Sequence, residues 1–167
     1  MDRLPSLRRQ LTLFADDPMG LLAHVRTTYN PVQAALIAAH VTLCREDELE
    51  PLDAVWPRLK GLDLGGPLVL DMGAAERFSE GQGVLLPAIG GLEAFADLRR
   101  RILAHIDTPR VQAAHLTLMH PRNATCTDAI FAEIAALELP RRLVFYLVDL
   151  IEQVDGGMWQ TLDQCPL

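Results

Sequence analysis

The pentapeptide Ala39-His40-Val41-Thr42-Leu43 recurs as Ala114-His115-Leu116-Thr117-Leu118. The chain has 5 histidines in 167 residues, so two copies of alanine, histidine, aliphatic, threonine and leucine point to an internal duplication. In a strand, successive side chains alternate faces. His40 and Thr42 then point one way and Val41 and Leu43 the other, and the same holds for His115 and Thr117 against Leu116 and Leu118. Each copy buries two aliphatics and presents an imidazole beside a hydroxyl. Two copies facing one groove would surround a single tetrahedral anion with two imidazoles and two hydroxyls. That set suits phosphoester cleavage without a metal: a neutral imidazole takes a proton, a charged one gives a proton, and the hydroxyls hold non-bridging oxygens. The sequence does not assign acid and base between the two histidines.

Composition narrows the setting. Lys and Arg number 15 against 22 Asp and Glu, a formal net charge of −7. This argues against clamping long nucleic acid by bulk electrostatics, but leaves room for a local cationic pocket holding one phosphate or an RNA end. Half the residues are hydrophobic, enough for one packed core and too many for a disordered chain. Cys44, Cys126 and Cys165 have no CxxC spacing and read as reduced thiols. No apolar run before Asp16 and Asp17 resembles a signal peptide, and residues 32–43 are too short and too polar to span a membrane. The expectation is a cytoplasmic protein with no membrane association and no obligate protein partner.

Along the chain, Gln10 to Ala15 alternates as a strand, and a helical stretch runs on to about Thr28, where Asn30-Pro31 breaks it. Residues 31–37 fit helix or strand equally, and 38–46 end as a strand. Asp47 to Lys60 carries an apolar helical face of Leu49, Leu52, Val55, Trp56 and Leu59, shortened or kinked by Pro57. Pro67 to Met72 and Gly83 to Ile89 read as strands joined by a mobile loop, Gly73 to Gln82. Leu92 to His105 is a helix with Leu92, Phe95, Leu98 and Ile102 on one face; Arg99, Arg100 and Arg101 read as solvated, although that basic patch could meet an RNA backbone. Residues 111–121 form another strand, Thr125 with Asp128 signals a helix N-cap, and Leu143 to Leu150 with a strand near Trp159 closes the chain. The spacings are too irregular for a doubly wound sheet, which leaves α+β with antiparallel sheet.

With these motifs the sequence resembles the two-histidine (2H) phosphoesterase superfamily, which includes the bacterial 2′-5′ RNA ligase-like proteins and RNA 2′,3′-cyclic phosphodiesterases. Both copies match that family's histidine, any residue, threonine or serine pattern. The resemblance implies one bilobal α+β domain over residues 1–167, with two pseudo-symmetric lobes, antiparallel sheets flanking a central cleft and helices on the outer faces. It implies His40 and His115 as the catalytic pair, Thr42 and Thr117 as phosphate binders, and no metal or other cofactor. The implied activity is on 2′,3′-cyclic phosphates or 2′-5′ linkages at RNA ends or in nucleotides, the cyclic phosphodiesterases leaving a 2′-phosphate. Relatives with a basic residue after the first motif make Arg45 a candidate phosphate contact, yet its odd offset from His40 sets it on the opposite face if the strand continues. Arg122 is a candidate whose direction cannot be read from the sequence.

The remaining residues invite simpler readings. His24, His105 and His120 are read as structural, with His120 at an odd offset from His115 that turns it away unless the strand bulges. Cys44 shares the parity of His40 and could line the pocket. No ligand spacing among His115, His120, Cys44 and Cys126 suggests a zinc site. Tyr29, Phe78 and Trp159 could stack on a base but more simply pack in the core. The expected activity is a phosphodiesterase, with two alternatives: a binding module for RNA ends or nucleotides that turns over little or not at all, or a 2′-5′ RNA ligase.

Overall fold

Alternation of apolar and polar side chains builds most of the sheet. In the computed structural model, which describes residues 4–167, the elements follow in the order β1 (Leu7–Phe14), α1 (Leu21–Tyr29), α2 (Pro31–Leu36), β2 (His40–Cys44), a 3₁₀ turn (Glu46–Glu48), α3 (Leu52–Lys60), β3 (Leu68–Met72), β4 (Glu76–Phe78), β5 (Gly83–Gly90), α4 (Leu92–Ile102), β6 (His115–Met119), α5 (Asp128–Ala135), β7 (Arg142–Phe145), β8 (Leu147–Val154) and β9 (Gln160–Pro166). Among these residues the strands form one 9-stranded sheet in the order β7-β3-β5-β6-β2-β1-β8-β9, with β4 beside β5. Every pairing is antiparallel. The fold is α+β, as the irregular spacing of its elements predicted.

The order is symmetric about its centre. One half runs outward from β2 through β1, β8 and β9, and the other from β6 through β5, β3 and β7. The two motif strands are the innermost pair, joined at Val41 opposite Leu116. The second half, β3 to β7, is one contiguous stretch of sequence, whereas the first is assembled from β1 and β2 before it and β8 and β9 after it. Val41, Leu43, Leu116 and Leu118 lie in one buried cluster with Leu22 and Val25 of α1, Leu59 of α3, and Phe95, Leu98 and Ile102 of α4. The helices thus cover the aliphatic face of the motif strands, and the imidazole face is left for the cleft.

Several local expectations are corrected. The segment 73–82 is no mobile loop. It contains β4, and Arg77 is pinned to the carbonyls of Gly81 (2.8 Å) and Cys126 (2.9 Å) and to the carboxylate of Asp128. Helix α5 is capped by Thr127, whose Oγ1 accepts the Ile130 N–H at 3.2 Å, so Thr125 lies before the cap. The ladder of β6 spans only His115–Met119 rather than 111–121. Helix α4 starts where Gly91 has φ +80, and a Cβ there would collide with the Val69 carbonyl oxygen, so only glycine fits.

Arg99 departs furthest from expectation. It leaves the solvated face and is buried with a side-chain exposure of 4%, its Nη2 2.6 Å from Oε2 of Glu48, itself 3% exposed. On α4 it sits four residues after Phe95, one turn along the apolar face. Its guanidinium also donates to the carbonyls of Leu43 and Arg110. Arg100 and Arg101 are on the outside, as expected. No helix among the described residues is long and apolar enough to cross a membrane.

Candidate functional site

The antiparallel register at Val41 and Leu116 sets His40 across from Thr117 and Thr42 across from His115 when extended by one residue each way. Neighbouring Cβ atoms across strands are about 5 Å apart, and residues two apart along a strand about 7 Å. Four side chains on one sheet face therefore outline a rectangle with the imidazoles on one diagonal and the hydroxyls on the other. A tetrahedral anion at the centre would meet both kinds of group from opposite sides.

Both imidazoles are held alike. Nδ1 of His40 lies 2.8 Å from the Ala38 carbonyl oxygen, and Nδ1 of His115 lies 2.8 Å from that of Ala113. A carbonyl only accepts, so each Nδ1 carries a hydrogen and Nε2 is the nitrogen left for proton transfer. The duplication has kept the orienting bond as well as the residue types. Burial pushes the pKa of His40 down from 6.5 to about 4; the bond to Ala38 opposes this, while the Arg26 guanidinium and His115 add to it. His40 is thus neutral at neutral pH, with a lone pair on Nε2.

These residues line a cleft of about 570 Å³ that also contains Arg8, Arg9, Arg26, Arg45, Arg110 and Arg122 against only Glu46 and Asp47. A chain of net charge −7 therefore concentrates cations at one place. Some are already engaged: Arg8 with Glu46 at 3.4 Å, Arg9 with Glu152 at 2.6 Å, and Arg110 with Asp47. Arg26 is buried and donates to the Ile37 carbonyl at 2.8 Å. Among the described residues, the guanidinium groups of Arg45 and Arg122 pair with no carboxylate within 4.0 Å.

A bulge brings Arg45 in. Register on β2 slips between Thr42 and Cys44 opposite Leu11 and Thr12, so Leu43 and Cys44 both turn inward. The matching slip on β6 lies between Thr117 and Met119, and Leu118 and Met119 are both buried. Each bulge reverses the parity of the residues after it. Arg45 and His120, each five residues beyond its motif histidine, consequently face the same cleft. His120 is held there by its backbone N–H, which donates to buried Asn30 Oδ1 at 2.8 Å, and by its Nδ1, which accepts the Arg122 N–H at 3.1 Å. That leaves Nε2–H as the donor of a neutral ring.

The same slip corrects the expectation for Cys44. It is fully buried, with its thiol pushed up to about 12 by desolvation, so it is neither a wall of the cleft nor a nucleophile. Cys126 and Cys165 are likewise buried free thiols. Trp159 lines the cleft, with Arg8 over its ring at 5.4 Å. Tyr29 instead donates to Glu133 at 2.6 Å, and Phe78 packs over Gly83. Among the described residues no three His, Cys, Asp or Glu side chains are grouped to hold a metal. Arg26 and Arg110, each a lone arginine beside an apolar residue, were not expected from the sequence, and neither was the Arg8-Arg9 pair, whose place opposite the motifs only the sheet order reveals.

No family model and no curated protein matches the sequence. Solved structures do match in shape. E. coli LigT complexed with 3′-AMP aligns over 98% of this chain and 98% of that one at 18% identity with a TM-score of 0.65. A structure described as a phosphoesterase aligns over 97% and 99% at 17% identity with a TM-score of 0.63. E. coli LigT complexed with NADP+ aligns over 96% of each chain at 19% identity with a TM-score of 0.62. The likeness runs from end to end, and this chain has the fold of LigT.

Proposed function

We propose that the protein is a metal-independent phosphodiesterase that hydrolyses 2′,3′-cyclic phosphates, or 2′-5′ linkages, at RNA ends or in nucleotides. The observation that carries this reading is the pair of imidazoles, each tied through Nδ1 to the carbonyl two residues upstream and both lining one arginine-rich cleft. Its fold relatives include E. coli LigT structures complexed with phosphate, 3′-AMP and ATP, ligands whose phosphate groups suit such a cleft.

Nε2 of neutral His40 takes a proton from water as the water oxygen bonds to phosphorus. The bond from phosphorus to one ribose oxygen breaks, and His115, entering as the imidazolium, gives that oxygen its proton. His40 leaves the cycle charged and His115 neutral, and exchange with solvent restores both. Thr42 and Thr117 donate to non-bridging oxygens, while Arg45 and Arg122 balance the charge that accumulates on them. Ligation is the same displacement with the 5′-hydroxyl of a second RNA end in place of water. Water is in excess, so hydrolysis dominates unless the cleft closes over two RNA ends.

Two measurements probe these roles. As pH falls through about 4, His40 gains a proton and can no longer accept one, so the acid limb of kcat/KM is expected near pH 4. A limb at the ordinary imidazole value, 6.5, would remove His40 as the base. Thr42→Val and Thr117→Val keep the shape of the side chain and delete its donor. Each is expected to lower kcat/KM by about ten- to a hundredfold, the worth of one hydrogen bond to a charged group. Unchanged kinetics would place the phosphate elsewhere.

A further inference from the structure

One end of the cleft is rich in hydrogen-bond donors and has no carboxylate. The motif strands are antiparallel, so β6 beyond Thr117 and the chain before His40 leave the imidazole and hydroxyl rectangle on the same side. Glu46 and Asp47, the only carboxylates lining the cleft among the described residues, follow Arg45 on the other side and pair with Arg8 and Arg110. At the first end stands Arg26, in the last turn of α1 and 3% exposed. Its Nη1 donates to the Ile37 carbonyl at 2.8 Å, and no carboxylate of the described residues comes within 4.0 Å of its guanidinium. No buried side-chain nitrogen or oxygen among those residues lacks a partner, so the other nitrogens of Arg26 open onto the cleft that it lines. A buried guanidinium without a counterion costs stability, and a bound anion offsets that cost.

A relay of amides sets the neighbouring donors. The His120 backbone N–H can only donate, and Asn30 Oδ1 accepts it; Asn30 Nδ2 then donates to Asn123 Oδ1 at 2.7 Å, and Asn123 Nδ2 to Gln33 Oε1 at 2.9 Å. Each bond fixes the orientation of the next amide, and the last leaves Gln33 its Nε2 for the cleft. The Nε2–H of His120 faces the same cleft. Three elements, α1, α2 and the end of β6, thus present donors while the amide oxygens between them are already taken. We propose that this corner is a second anion site, which holds a terminal phosphate of the substrate apart from the phosphoester that lies between His40 and His115. The inference rests on the phosphodiesterase reading above and adds a substrate class: a small molecule that carries a free phosphomonoester besides the ester being cut. His120 lies three residues beyond Thr117, one of them taken up by the bulge, so roughly 7 Å separates it from the rectangle. The 2′ and 5′ phosphates of one ribose are a comparable distance apart. A monoester presents three terminal oxygens to these donors and a diester two. Arg26 closes the corner as a dead end, which suits a terminal phosphate and not a link in an RNA strand.

The test measures equilibrium binding of adenosine 2′-monophosphate, adenosine 2′,5′-bisphosphate and a 2′-phosphorylated dinucleotide with one 3′-5′ link. The proteins are the full chain, Arg26→Met and Gln33→Glu. The parent is expected to bind the bisphosphate about tenfold or more tighter than the monophosphate, the worth of one charge-assisted hydrogen bond, and tighter than the dinucleotide. Gln33→Glu keeps the acceptor for Asn123 and turns a carboxylate toward the phosphate. It should abolish the gain and leave monophosphate affinity unchanged. Arg26→Met should abolish the gain without lowering Tm, since it removes a buried charge that has no counterion; a fall in Tm would make Arg26 a structural residue, against the proposal. Monophosphate binding with no gain from the 5′-phosphate, or a gain that survives both variants, overturns the site and leaves the phosphodiesterase reading standing. An equal gain from the dinucleotide would assign the corner to the RNA backbone, also against the proposal. Lost turnover of a 2′,3′-cyclic nucleotide in Arg26→Met with the bisphosphate gain intact would make Arg26 a positioning group for His40 instead. Failure of all three ligands to bind strikes the phosphodiesterase reading first and this inference with it.

Discussion

Replacement of either His40 or His115 by alanine is expected to lower turnover of a 2′,3′-cyclic nucleotide by about 10²–10⁴-fold, the usual worth of a positioned general acid or base. Each variant removes one of two proton transfers that must occur in the same displacement. The double variant should be far less impaired than the product of the two single losses, because the pair acts as a unit. Thermal stability should change little for His115→Ala and should not fall for lack of a charge in His40→Ala, since burial keeps that ring neutral. The check is steady-state kinetics alongside unfolding curves. Retention of most activity in either variant by a folded protein would break the proposed division of labour.

The second large effect concerns stability. Arg99→Met is expected to cost about 3–5 kcal/mol, because it leaves the Glu48 carboxylate buried beside a hydrocarbon chain. For a chain of this size that lowers Tm by roughly 10 °C. Glu48 Oε1 also accepts the Arg45 N–H at 2.9 Å, and Arg99 reaches the carbonyls of Leu43 and Arg110. One buried ion pair thus ties the end of the first motif strand to the segment 109–114. Replacing both partners, as Arg99→Met with Glu48→Met, should recover part of the loss, since no isolated charge then stays inside. A single Arg99→Met variant as stable as the parent would mean that Glu48 finds water or another partner, with Arg110, whose Nε is 3.9 Å away, the nearest candidate.

How far the sequence reveals this site depends on where period-two alternation holds. Within the pentapeptides it holds, and the placement of His40, Thr42, His115 and Thr117 on one face with Val41, Leu43, Leu116 and Leu118 behind them could be read directly. Beyond Leu43 and Leu118 it fails, because each bulge adds a residue that no local pattern announces. Parity therefore assigns Arg45 and His120 to the wrong face, and Cys44 to the wrong environment. The offset is visible in one respect: both copies put a basic or imidazole side chain five residues after the histidine, and comparing the copies pairs Arg45 with His120. Arg99 is hidden for a different reason. Helical phase sets it four residues after Phe95, on the apolar face, but the composition of the three-arginine run reads as solvated, and the partner that lets a charge be buried there, Glu48, is far away in sequence. Helix and strand identities survive where the apolar period is long, as in α4, and lose their ends where loops decide, as before β6.

The most direct test of the two-histidine mechanism is incubation of the protein with 2′,3′-cyclic nucleotides and with a short RNA ending in a 2′,3′-cyclic phosphate, in the presence of EDTA. Products are resolved as 2′- or 3′-phosphate, with His40→Ala and His115→Ala as controls. The mechanism predicts turnover to a single isomer, the 2′-phosphate, abolished in both variants. Turnover only after a divalent metal is restored would contradict it, and so would a folded protein that binds the RNA end and leaves it intact.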